Sequence, residues 1–105
     1  MEENAGNNVK NENVDNVVFV GDKPLINYVK SVIVLFLKKN NKEIVIRSRG
    51  RFISKAVDIA EVVRRRPLEG KGMISLKEIT IGSEQFEKEG KKMNVSTMDI
   101  SLTVE

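Results

Sequence analysis

Twice in the first half of the chain, a short run of β-branched residues halts at a glycine and gives way to a helical stripe. This repeat constrains the fold more than any other feature. Val17-Val18-Phe19-Val20, stopped by Gly21, reads as a short buried strand. Pro24 suits the first position of a helix, where its missing N–H is not needed. From Leu25 to Lys38, apolar residues fall at 25, 26, 29, 32, 33 and 36, with Val34, Leu35 and Leu37 adding apolar surface outside that stripe. A helix apolar on more than one side is buried on two sides, so this one is expected to pack on a sheet and also to meet another subunit. Asn40-Asn41 ends it. Glu43 to Ser48 reads as a second strand broken by Gly50, and a second helix follows from about Phe52 to Arg66. Ile53, Ala56, Val57, Ala60 and Val63 share one face of that helix, and Pro67 forbids its continuation.

The remainder predicts a hairpin whose alternation changes phase on both arms. Ile74 and Leu76 share one parity, Ile79 and Ile81 the other; Met93 and Val95 share one, Met98, Ile100, Leu102 and Val104 the other. A bulge or strong local twist produces such a flip. Two flips predict a long twisted hairpin whose outer half leaves the main sheet, with a charged, mobile tip over Glu87–Lys92. The expected class is therefore α/β, an α+β sandwich of order β-α-β-α-β-β. Its four strands form a mixed sheet with two helices and an extended β-hairpin arm. Residues 1–16 hold six asparagines, five charges and few large apolar side chains. Such a segment cannot offset its ordering entropy by burial and is expected to be a disordered tail. Residues 17–105 form a single domain.

Two strands joined by a helical crossover are normally parallel, so both strand-to-helix turns emerge at one edge of the sheet. Ligands of open α/β sheets sit outside the carboxyl ends of the strands, and helix N-termini favour anions. The topology gathers Lys23, Arg49 and Arg51 at that edge, a phosphate-binding surface assembled from separate parts of the sequence. Charge points the same way. Residues 1–16 carry a net −3, leaving +6 on the remainder. All six arginines (Arg47, Arg49, Arg51, Arg64, Arg65, Arg66) fall between 47 and 66, a stretch with a net charge of +5. Clustered basic charge is the footprint of a polyanion binder. Two readings stay open beside it: Gly50 as a simple turn glycine, and Arg64-Arg65-Arg66 as a complement to the negative end of the second helix.

What the chain lacks argues against an enzyme. Carboxylates or a lysine remain as catalytic groups, a third reading that would need turnover lost on removing one of them. The chain has no cysteine and no histidine, which removes zinc sites, disulfides, cysteine nucleophiles and histidine bases together. No catalytic residue, metal or cofactor is assigned, and no glycine-rich nucleotide motif occurs. The N-terminus is polar and acidic, so no signal peptide is expected, and no apolar run spans a membrane. Five aromatics are too dispersed for a base-stacking platform, so recognition of backbone and shape is expected.

Asn16-Val17-Val18 through Gly21-x-Lys23-Pro24 and Asn27-Tyr28-Val29 resembles the opening of the Alba family of archaeal chromatin proteins. Glu43-Ile44-Val45-Ile46, Arg49-Gly50-Arg51, Ile53-Ser54-Lys55-Ala56-Val57-Asp58 and Val95-Ser96-Thr97 continue the likeness, which covers about residues 16–104. It implies a fold like the C-terminal domain of bacterial translation initiation factor three, and a homodimer. It also implies binding of double-stranded DNA, and of RNA, with no catalytic step, by a cytoplasmic, chromosome-associated protein that compacts or organises the chromosome. By this resemblance, body contacts fall on Lys23, Arg49 and Arg51, with Lys55 nearby, and arm-tip contacts fall around Lys88, Lys91 and Lys92. Asp22 stands where relatives often have a lysine, and Pro67 where they often have a phenylalanine that supports dimer–dimer contacts. Two further readings of the same surface are an RNA chaperone or ribonucleoprotein subunit, and a protein–protein scaffold with a basic edge.

Overall fold

A computed structural model describes residues 16–68, 70 and 72–104. The predicted tail lies outside the described residues except for Asn16, whose side-chain amide donates to the Glu43 carbonyl at 3.3 Å. Asn16 therefore belongs to the folded body. Strand β1 (Val17–Phe19) lies parallel to β2 (Glu43–Arg49), with Val18 opposite Ile46. Helix α1 (Leu25–Leu37) makes the crossover between them. Pro24 sits one position ahead of α1, and its carbonyl accepts from Asn27 N at 3.0 Å. Asn40 adopts φ 58°, the left-handed conformation that asparagine tolerates, and turns the chain out of the helix.

A 3-10 turn at Gly50–Phe52 leads into α2 (Ile53–Arg64). The helix stops two residues short of the predicted Arg66. Beyond it, Pro67–Leu68 forms a two-residue strand, β3, that no periodicity could reveal. Strands β4 (Gly72–Lys88) and β5 (Lys91–Val104) complete the sheet in the order β1-β2-β5-β4-β3. The first pair is parallel and the others antiparallel, a mixed sheet of four principal strands with β3 added at its edge.

Both helices cover one face. Val29, Val32 and Phe36 of α1 and Ala56, Ile59 and Val63 of α2 pack on Ile44, Ile46, Ile100 and Leu102. Two expected core positions lie outside: Ile26 is about half exposed, and Val57 yields its place on α2 to Ile59. The hairpin is longer and more regular than its alternation implied. Its ladder runs to Lys88 opposite Lys91, and Glu89 and Gly90, both at positive φ, close a two-residue turn. Within the expected charged tip, Glu87 pairs with Lys92 and Lys88 with Lys91. Of the two phase flips, the one on β4 is a bulge at Lys77, where the register shifts between Leu76 and Glu78. The flip on β5 is not, since its pairing with β4 runs unbroken from Met98 to Lys91. There the ribbon has left the helices, and the apolar residues Val95 and Met93 lie on the sheet's other face.

Candidate nucleic-acid interface

The two strand-to-helix turns meet, and Lys55 joins them. Its ammonium group, on the first turn of α2, donates to the carbonyls of Gly21 at 2.7 Å and Lys23 at 2.9 Å. From the other side, the Tyr28 hydroxyl oxygen accepts from the backbone N–H groups of Gly21 (2.8 Å) and Lys23 (3.2 Å). The turn after β1 is thus held through both its donors and its acceptors. Lys55 Nζ also lies 5.7 Å from the Tyr28 ring centre and 5.6 Å from that of Phe52. Aromatic faces at that distance favour the cation.

Around this joint the predicted residues take different roles. Lys23 is exposed beside the start of α1. Arg51 lies over the Phe52 ring at 4.3 Å and reaches across the edge to Asp22, Nη2 to Oδ1 at 3.1 Å. Arg49 donates to Glu84 on β4 at 2.9 Å. Both pairs are mostly solvent-exposed, and such pairs contribute about 0–1 kcal/mol. Lys55, expected among the contacts, has its charge turned onto backbone carbonyls and serves first as the brace. Neither α1 nor α2 has a side-chain cap or an acidic residue in its first turn, so the carboxylates an approaching anion meets at this edge are Asp22 and Glu84, each in an exposed pair.

Lys88, Lys91 and Lys92 stand apart from this edge. Lys88 lies four residues beyond Glu84, about 13 Å further along the strand at 3.3 Å per residue. Lys88 faces Lys91 at the last rung, whereas Lys92 faces Glu87. Arg64 and Arg65 both pair with the Glu61 side chain, and the Arg64 hydrogen bond holds the Glu61 carboxyl below its ordinary range. Arg47 is held by two 2.9 Å bonds to Asp99, which raise its already high pKa against the opposing effect of burial. The sequence reading missed Tyr28 as the acceptor that shapes the β1–α1 turn. The available signal was a lone tyrosine on the buried face of a helix, one turn past Pro24.

The fold and edge together define a class: a sheet covered by helices on one side only, with a basic edge of converging turns and a long hairpin arm. The sequence model of the Alba family matches residues 16–83. The chain belongs to the Alba family. It is 41% identical over 90 residues to the DNA/RNA-binding protein Alba of Methanococcus maripaludis, covering 85% of this chain and 98% of that one. To the protein of the same name from Methanocella arvoryzae it is 46% identical over 89 residues, covering 84% and 88%. Among solved structures, Alba from Thermoplasma volcanium superposes with a TM-score of 0.73 at 39% identity, covering 84% of this chain and 99% of that one. ALBA1 from Trypanosoma brucei shares the fold, with a TM-score of 0.66 at 24% identity over 85% and 68% of the two chains.

Proposed function

We propose that this chain is a small architectural protein that binds double-stranded DNA, and RNA, through backbone phosphates and organises the chromosome as a homodimer. One observation carries the reading: Lys55 ties the two strand-to-helix turns together, holding Lys23, Arg49 and Arg51 on one edge beside two uncapped helix N-termini. Phosphate contacts gain from cations set in place before binding, and this edge holds three of them beside two helix N-termini. The relatives' names, which cite DNA and RNA alike, support RNA as a second ligand of the same edge. No catalytic step is part of the function. Among the described residues, no helix is long and apolar enough to cross a membrane, in keeping with a cytoplasmic, chromosome-associated role.

The dimer reading rests on apolar surface left uncovered on the helix side of the sheet. Leu76 and Ile79 are about half exposed, Ile81 is 74% exposed, and Val57 on α2 adds to them. A second copy is the occupant proposed, and it would set two basic edges and two arms along one duplex. Lys88, Lys91 and Lys92 are proposed as arm contacts to the same strands. The test is salt dependence. With roughly 6–10 phosphates contacted per dimer, log affinity falls against log salt with a slope of about −0.9 per contact. A nearly flat dependence would overturn the phosphate edge.

A further inference from the structure

The fold leaves two phenylalanine rings uncovered on the open face of the sheet, and one of them borders a trough. Phe19 and Phe86 are the exposed phenylalanines, and both lie on the sheet face that carries no helix. Phe19, 57% exposed, borders a trough of about 470 Å³ crossing that face. Sites for small molecules span roughly 300–1,000 Å³. Arg47, Arg49, Thr80, Gly82 and Thr97 also line it. Gly82, paired with Thr97, keeps its floor open, because a Cβ there would stand 3.2 Å from the Thr97 hydroxyl. A glycine inside a strand often marks close approach by a ligand.

The chemistry of the trough differs from that of the adjoining edge. Arg47 is fixed by its two bonds to Asp99 and sets its guanidinium 5.8 Å from the centre of the Phe19 ring. Its charge is balanced where it stands. Arg49 lines the trough as well, and its exposed bond to Glu84 yields readily to a stronger anion. The trough thus offers an aromatic face, hydroxyls, carboxylates and little net charge. Arg47 already gives Asp99 the two-bond arrangement that would otherwise hold a phosphate, whereas Arg49 and Arg51 each hold a carboxylate by one exposed bond. A nucleobase has a face that stacks on aromatic rings and an edge that carries both donors and acceptors.

We propose that this trough receives one unpaired base of a nucleic-acid strand whose phosphates lie on the Lys23–Arg49–Arg51 edge. The inference rests on the phosphate-edge reading above. The base stacks on Phe19, its edge meets the Thr80 and Thr97 hydroxyls and the Asp99 carboxylate, and Arg49 turns from Glu84 to the adjoining phosphate. A chain bound this way favours duplexes interrupted by a flipped or bulged nucleotide.

The test uses the full chain and three labelled RNA duplexes, titrated by fluorescence anisotropy at one salt concentration. One duplex is fully paired, one carries a single unpaired adenosine, and one has an abasic nucleotide in place of that adenosine. The unpaired adenosine is expected to tighten binding about tenfold over the paired duplex, and the abasic form to lose that gain. Phe19→Thr, at an exposed position and of strand-compatible type, is expected to bind all three alike. Gly82→Val, which fills the trough from its floor, is expected to do the same. Equal binding of all three by the unaltered chain overturns the proposal and leaves the phosphate edge intact. A preference that survives the abasic substitution, or survives in either variant, also overturns it, since the gain then comes from duplex bending or from another surface. Failure to bind any duplex overturns the phosphate edge and the base site together.

Discussion

Asp22 sets the charge balance of the edge at the scale of single residues. Its carboxylate stands 3.1 Å from Arg51 in a pair that is more than three-quarters exposed on both sides. A phosphate arriving at Arg51 displaces it at little cost but remains close to its charge. Asp22→Asn is therefore expected to raise duplex affinity about three- to fivefold at low salt, the gain shrinking as salt screens it. Arg51→Ala and Lys23→Ala are expected to weaken binding by about 1–3 kcal/mol each, the range for charge-assisted bonds. Lys91→Ala should cost less, because its long side chain is ordered only on binding, whereas Arg51 already rests on Phe52. Anisotropy titrations on one duplex decide the ranking, and a dominant Lys91 would move the binding element to the arm. Lys55 separates from these by its role. Lys55→Met leaves the Gly21 and Lys23 carbonyls without their donor and is expected to cost about 2 kcal/mol of stability in urea unfolding. Lys23→Ala should leave the urea midpoint unmoved. The sequence made the cations of the edge legible, because strand–glycine–helix order alone brings them together. Their partners were not legible: Arg51 meets Asp22 across 29 positions and Lys55 meets Gly21 across 34, and no local pattern encodes such a pairing.

At the scale of elements, Gly50 is the junction that aims the edge. It stands at φ 59°, where an L side chain is strained, and a Cβ there would approach Val95 Cγ2 to 3.1 Å. Both effects act against Gly50→Ala, which is expected to lower stability by about 1–3 kcal/mol and to weaken duplex binding by displacing Arg49 and Arg51 on either side. Equilibrium unfolding and titration of the same sample check the two consequences, and an unchanged midpoint would return Gly50 to an ordinary turn. The sequence left open whether this glycine was more than a turn former; its φ and its approach to β5 are what a turn glycine needs, and the titration decides whether it also serves binding. Elements with apolar periodicity, α1, β2 and α2, lay close to their observed positions. The outer hairpin did not, because its pairing is made by backbone groups and continues through Ser83–Lys88, where alternation of apolar side chains has ended. The bulge at Lys77 was legible as a change of parity. The matching change on β5 reflects only where the helices stop covering the ribbon, a tertiary fact with the same signature in sequence.

At the scale of the whole molecule, the uncovered helix-side surface and the one-sided basic edge are parts of one arrangement. Leu76, Ile79 and Ile81 follow Ile100 and Leu102 on the core face of the sheet, yet no element of the same chain covers them among the described residues. Contiguous exposed apolar surface of this kind marks an interaction site. If a second copy covers it, sedimentation at micromolar concentration gives about twice 11.8 kDa. Ile81→Glu places a charge in the middle of that surface and is expected to give a monomer with the fold intact by circular dichroism, since Ile81 contributes little to its own chain's core. Each monomer retains Lys23, Arg49 and Arg51, so it still binds duplex, but with one edge instead of two. The number of counterions released per complex, and with it the slope of log affinity against log salt, should then fall to about half. Affinity should fall by more than the slope suggests, because the second edge binds at the effective concentration set by the first. A variant that is monomeric yet keeps the full slope would place all phosphate contacts on a single body and remove the need for two. A variant that remains dimeric would place the dimer contact elsewhere, with α1 and its exposed Ile26, Val34 and Leu37 the next surface to alter.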